Sequence, residues 1–209
     1  MLPEVIPVFP LPNVVFFPRM PLPLHIFEPR YRDMVRDAAR GARLIGMVLL
    51  RGDWERDYEG RPPIYGTGTV GEMVRVEELP DGRFDIVLRG VREYTIMREL
   101  ERAAYREAVV TWREGSVEPL SAGTRQAIRG LVRRYLALLG RKVADDEILR
   151  ESVDDETFVN FLAQHLDVAP VEKQAMLEAG SLAERARRLS DVLEFRLQEL
   201  PSGSSGRAH

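Results

Sequence analysis

Three histidines, two lysines and no cysteine leave this chain few groups for nucleophilic, general-base or metal chemistry. Without cysteine there is no thiolate nucleophile, no disulfide and no thiolate metal site. Neither lysine completes a GxxxxGK[ST] phosphate loop, because Lys142 follows Arg141 and Lys173 follows Glu172 where glycine is required. Lacking that nest of backbone N–H groups, the chain has no machinery for nucleotide hydrolysis of this type. Ser121 and Ser181 stand where helices begin, so capping explains them better than a Ser–Lys dyad. His209 lies in the C-terminal tail. His165 falls on the apolar face of a helix and reads as a core histidine. His25 lies three residues before Glu28, a spacing that suggests a pair and a structural hydrogen bond. A general base would also need a substrate-facing pocket. No HExxH or other metal spacing occurs. The expectation is a chain without catalytic residues, metal or cofactor, inactive as an ATPase and as a peptidase.

The elements that carry these residues must come from an ordinary globular composition. Of the 209 residues 44% are hydrophobic and 30% charged, near the soluble average. No run approaches the roughly 20 apolar residues that cross a bilayer. Met1 to Pro12 has no basic region and is broken by Pro3, Pro7 and Pro10, so it does not read as a signal peptide. Together with the missing cysteine this predicts a cytoplasmic protein. The net charge is −3 and both halves are near neutral, which argues against nucleic acid as a partner. All but two of the 30 basic residues are arginine, and they are scattered.

The first half reads as strands. Val5 to Phe9 is an apolar run chopped by prolines, as in an edge or bulged strand. Leu24 to Phe27 is another. Leu44 to Leu50 is continuously apolar between Gly41 and Gly52, as a buried strand would be. A long extended segment holds Val70, Met73, Val74 and Val76. Pro80-Asp81-Gly82 turns it into Phe84 to Leu88. Val91 to Met97 and Tyr105 to Trp112 bring the set to roughly seven short strands. One helix interrupts them: Pro29 opens it, Tyr31, Met34, Val35 and Ala38 form its stripe, and Gly41 ends it. The second half is helical. Ile128, Leu131, Val132, Tyr135, Leu136 and Leu139 recur at helical spacing. Ile148 and Leu149 mark a short helix, Phe158 to His165 another. Pro170 opens a fourth that closes at Gly180. Ser181 and Glu184 have capping-box spacing before a last stripe from Leu182 through Leu197 to Leu200. The fold class is therefore α+β: a β-barrel with one helix over residues 1–115, a helical bundle over 116–200, and a Ser/Gly-rich tail, 201–209, read as disordered.

A family resemblance accompanies this reading. Ile6 to Pro18, followed by Pro21-Leu22-Pro23-Leu24-His25-Ile26-Phe27-Glu28-Pro29-Arg30-Tyr31, resembles the opening pattern PLFPLxxxVLFPGxxLPLHIFEPRY of the Lon protease N-terminal, substrate-binding domain. Gly66 to Gly71 is similar to its GTxGxV strand. Leu79 to Arg83 with Leu88 to Gly90 is similar to its LPDGR…LxG hairpin. Glu172 to Glu178 and Arg185 to Leu193 resemble its xKQxLLE and RLxxLxxLL segments. The resemblance spans residues 5–200. It implies a PUA-like pseudo-barrel followed by a helical bundle, in a stand-alone protein that lacks the ATPase and Ser–Lys peptidase modules. Arg19 departs from the pattern, standing where the family has Gly, the residue that suits a tight turn of positive φ.

Three features could bind a partner. Phe16, Phe17, Met20 and Leu22 stand among prolines, on a broken edge that could take an extended peptide; the alternative is that they close the barrel. Trp54 and Tyr58 lie on a charged loop from Arg51 to Pro63 and could anchor a partner, or simply be solvated. Arg125, Arg129 and Arg133 form a basic row along a helix. Seven acids between Asp145 and Glu156 could neutralise that row within the bundle. The leading expectation is a non-enzymatic module that binds apolar segments of unfolded or partner polypeptides, with a separate ATP-dependent protease as a candidate partner. An RNA-binding PUA-like module is the alternative.

Overall fold

Leu44 to Leu50 carries no polar side chain, and it forms a strand, β3 (Leu44–Leu50), that is buried at every position. The structure is a computed structural model describing residues 2–57, 60–101, 103–115, 118–140, 150 and 152–199. With β3 run β1 (Val5–Leu11), β2 (Pro21–Ile26), β4 (Ile64–Glu78), β5 (Phe84–Leu100) and β6 (Arg106–Trp112). The strand order is β2-β5-β4-β3-β1-β6, and β6 also pairs with β5. Five strands thus close on themselves, while β2 lengthens the sheet alongside the first half of β5. Inside lie Ile6, Val8, Leu44, Val48, Val70, Tyr94, Ala108 and Val110. The Tyr94 hydroxyl donates to Met47 O at 3.0 Å, and burial pushes its pKa up.

Two expectations about strands are corrected. Phe84–Leu88 and Val91–Met97 are one strand, not two, because β5 continues through Gly90. Gly90 donates to Met20 O at 2.9 Å and accepts from Arg19 N at 2.8 Å. A Cβ there would sit 2.2 Å from Phe17 O, so only glycine lets the backbones approach. β1, expected as an edge or bulged strand, is central, parallel to β3 and antiparallel to β6. Glu4 O accepts from Val110 N, and bonding alternates along an antiparallel pair. Even-numbered residues of β1 therefore face β6 and odd-numbered ones face β3. Pro10 comes after the last β6 pair, Val8↔Arg106, and Pro7 comes before the first β3 pair, Val8↔Gly46. Neither missing N–H costs a ladder bond.

The helix α1 (Pro29–Arg40) has Glu28 as N-cap, Pro29 in its first turn and Tyr31, Met34, Val35 and Ala38 buried. The remaining helices are α2 (Ala122–Leu138), α3 (Asp155–His165), α4 (Pro170–Leu177) and α5 (Leu182–Glu199). Serines cap two of them. Ser121 Oγ accepts from Thr124 N at 3.0 Å, and Ser181 Oγ accepts from Glu184 N at 3.1 Å.

The chain forms two compact units, Met1–Gly115 with Ala163–Glu178, and Ser116–Leu162 with Ala179–His209. Residues 163–178, expected in the helical bundle, group with the strands. Polar side chains account for this. Gln164 Oε1 accepts from Phe17 N, and its Nε2 donates to Pro21 O, both at 3.1 Å. Gln174 Nε2 donates to Thr67 O at 3.0 Å. Arg113 donates to Leu177 O at 3.1 Å and Glu178 O at 3.2 Å. In the helical unit Ile128, Val132 and Tyr135 of α2 are buried, as are Phe158, Val159 and Leu162 of α3 and Leu182, Ala186, Leu189 and Leu193 of α5. The short helix expected at Ile148 and Leu149, the end of the last stripe at Leu200 and the tail 201–209 lie outside the described residues.

Candidate functional site

On the outer face of β2, β5 and β4 the registers align two rows across three strands. Pro23, Val87 and Arg75 make one; His25, Asp85 and Glu77 make the next. A concavity of about 400 Å³ opens there. A bulge between Met73 and Arg75 breaks the alternation of β4, so Val74 and Arg75 are exposed in succession. Phe27, just beyond β2, is 60% exposed, and its ring stacks 6.4 Å from that of His25.

The polar groups on this face bind one another. His25 Nδ1 lies 2.7 Å from Asp85 Oδ1, and Arg83 Nη1 lies 3.2 Å from His25 Nε2. A guanidinium only donates, so Nε2 accepts and Nδ1 carries the hydrogen given to Asp85. Arg83 also donates to Asp81 through Nε at 2.6 Å and through its backbone N–H at 3.1 Å. That N–H, foremost, holds the Asp81 carboxyl below its ordinary value. Arg75 pairs with Glu77 at 2.7 Å and Arg89 with Glu72 at 3.1 Å. The expected His25–Glu28 pair does not form; Glu28 pairs with Arg30 at 3.0 Å. Glu28 lies past the end of β2 at Ile26, as the N-cap of α1, so His25 meets its cross-strand neighbour instead. The result is a partly apolar groove whose polar side chains are bound to one another. Among the described residues no cluster of His, Asp or Glu could hold a metal ion, and no helix is long and apolar enough to cross a membrane.

Most residues singled out in the sequence lie elsewhere. Phe16, Phe17 and Met20 are buried in the core, Phe17 fully, so a peptide cannot reach them. Gln164 and Gly90 bind the backbone on either side of Pro18 and hold this segment in place. Leu22 is half-buried, on the row of β2 opposite to Pro23. Trp54 is half-buried in a single 3-10 turn, and Tyr58 lies outside the described residues. The basic row is no exposed strip. Arg125 is bound to Asp155 and to Val153 O and stacks over Phe158. Arg129 is buried, and only Arg133 is exposed. RNA binding requires a continuous cationic surface, which these three residues do not make. His165, expected in the core, is exposed, because α3 buries Val159, Leu162 and Ala163 instead.

Apart from His25, the groove residues were not singled out. Phe27 and Val74 sit in apolar runs that look like core, and His25 and Asp85 are 60 residues apart. Only the pairing register brings them together. The one local signal was the broken alternation Met73-Val74-Arg75.

Comparison with known proteins places these features in a family. The family model of the ATP-dependent protease La (LON) substrate-binding domain matches residues 5–194. The chain is similar to the Lon protease of Parabacteroides distasonis, 28% identical over 99% of this chain and 26% of that protein. It is also similar to Lon protease 2 of Syntrophobacter fumaroxidans, 30% identical over 95% of this chain and 25% of that protein. It thus spans about a quarter of the length of these relatives. Among solved structures it resembles the Lon N-terminal domain protein from Xanthomonas campestris, with a TM-score of 0.66, 24% identity and coverage of 91% of this chain and 98% of that one. The N-terminal domain of Mycobacterium avium complex Lon protease gives a TM-score of 0.67 at 19% identity with the same coverages. A match that takes in both the strands and the helices leaves no separate part unaccounted for between residues 5 and 194, and on that ground the chain belongs to the LON substrate-binding domain family.

Proposed function

We propose that this chain is a non-catalytic module that binds exposed apolar segments of non-native or partner polypeptides in the groove on β2, β5 and β4. The observation that supports it most is the groove itself: about 400 Å³ of concave surface bearing Pro23 and Val87, with exposed Phe27 and Val74 nearby and its polar side chains bound to one another. Side chains of this kind accept many apolar sequences and select against few. An ATP-dependent protease is the natural consumer of such clients, acting as a separate partner in the cytoplasm. The test is binding of reduced, carboxymethylated α-lactalbumin by fluorescence anisotropy, at low and high salt. Val87→Asp is expected to weaken binding about thirtyfold, the size of a lost hot spot, and salt is expected to matter little, since no cationic strip is involved. Trp54→Ala should leave affinity unchanged. Affinity indifferent to Val87→Asp in a variant of unaltered melting temperature would refute the site.

A further inference from the structure

We infer that the bound segment lies on the sheet face and does not add a strand to β2, so that apolar stretches containing proline, or otherwise lacking backbone N–H groups, are accepted as readily as ordinary ones. This rests on the groove being the binding site. Among the described strands β2 is outermost and pairs with β5 alone, and an outermost strand is the usual template for peptide addition. Its main-chain groups decide whether it can serve. Met20 O accepts from Gly90 N, and the pairs run Pro21↔Arg89 to Ile26↔Phe84. Bonding alternates, so residues 20, 22, 24 and 26 turn their main-chain groups to β5. Residues 21, 23 and 25 turn theirs to the open edge.

Those three positions are Pro21, Pro23 and His25. Proline has no N–H, so two of the three edge donors do not exist. The Pro21 carbonyl is already taken by Gln164 Nε2 at 3.1 Å. An incoming strand would find one donor, on His25, and the carbonyls of Pro23 and His25. A ladder needs a donor and an acceptor at every second residue, so the edge is blunted where the groove lies. Recognition must come from side chains on the face, where Pro23, Val87 and Phe27 present apolar surface. The ion pairs Arg75 with Glu77 and Arg89 with Glu72, and the Asp85 carboxylate held by the neutral His25 ring, suit a segment of low net charge. The occupant is therefore a neutral, extended apolar stretch of a polypeptide, read without regard to its backbone hydrogen bonds.

The experiment uses the full chain and three fluorescein-labelled peptides of one leucine-, valine- and serine-containing sequence. One is unmodified; the other two are N-methylated at alternate residues, one along each edge. Anisotropy titrations are run on the wild-type chain, on Val87→Asp and on Phe27→Ser, the last at an exposed position that tolerates change. The expected result is that all three peptides bind within about threefold of one another, less than the loss of one backbone hydrogen bond, and that both substitutions weaken all three. A tenfold or greater loss on methylating one edge, with the substitutions still effective, would mean strand addition; it overturns this inference and leaves the proposed site standing. Binding that ignores Val87→Asp and Phe27→Ser, or no binding at all, removes the site and the inference together.

Discussion

Gln164→Ala tests why residues 163–178 belong with the strands. The Gln164 amide accepts from Phe17 N–H and donates to Pro21 C=O, each at 3.1 Å. Phe17 is fully buried, and taking the acceptor from a buried N–H costs about 1–3 kcal/mol. Pro21 is exposed, so water can replace the second bond, which adds about 0.5 kcal/mol. The total, about 2 kcal/mol, corresponds to a fall of roughly 4–8 °C in melting temperature for a chain of this size. It also corresponds to about thirtyfold faster exchange of the Phe17 amide. Urea unfolding followed by circular dichroism gives the first number and hydrogen exchange by NMR the second. Gln164→Glu keeps an oxygen for Phe17 N–H but turns another toward Pro21 O, so the Phe17 amide should stay protected while stability still falls. A melting temperature within about 1 °C of wild type, with Phe17 exchange unaltered, would show that these bonds do not hold the segment to the barrel.

Two further outcomes follow from local geometry. Arg19 has φ 68°, a conformation that costs an L residue about 1–2 kcal/mol; Arg19→Gly removes that strain against about 0.5–1 kcal/mol of added chain entropy. It should raise the melting temperature by about 2 °C, and a decrease would show that the Arg19 side chain contributes more than its backbone costs. Acid stability turns on two carboxyls held below their ordinary values, Asp81 chiefly by Arg83 N–H and Glu184 chiefly by Gly180 N–H. A depressed pKa favours the fold while the group is ionised, so the contribution is complete above the ordinary value and is lost as pH falls through the folded one. The melting temperature should therefore hold from neutral pH to about pH 5 and drop below about pH 4, and Asp81→Asn with Glu184→Gln should flatten that drop.

Local chemistry was legible along the chain wherever neighbours in sequence settle it. Pro29 and Gly41 bracket α1, and its stripe Tyr31, Met34, Val35 and Ala38 is buried as the helical period requires. Pro80-Asp81-Gly82 makes its turn, with Gly82 at φ 78°. Leu44 to Leu50 is a buried strand because nothing in it is polar. The turn at Arg19 keeps its positive φ although the residue is not glycine, since Gly90 O captures Arg19 N. A motif that names the favoured residue says nothing of the distant bond that lets another stand in for it.

By itself the sequence determined the α+β class, a strand-rich first half with one helix before a helical second half, the bounds of α1 and β3 and the family pattern, because periodicity, capping and proline or glycine placement act within a few residues. It also carried the absence of a phosphate loop and of thiols. Tertiary structure alone decided that Phe16, Phe17 and Met20 are core, that β1 is central and that β2 is a blunted edge. It also decided that Gln164 and Gln174 bind the strands, and that His25 meets Asp85 beside Val87 in a groove. These depend on register and closure. A strand shows the same alternation whichever face is later covered, so which of its two apolar or polar rows meets solvent is settled only when β4, β5 and residues 163–178 pack.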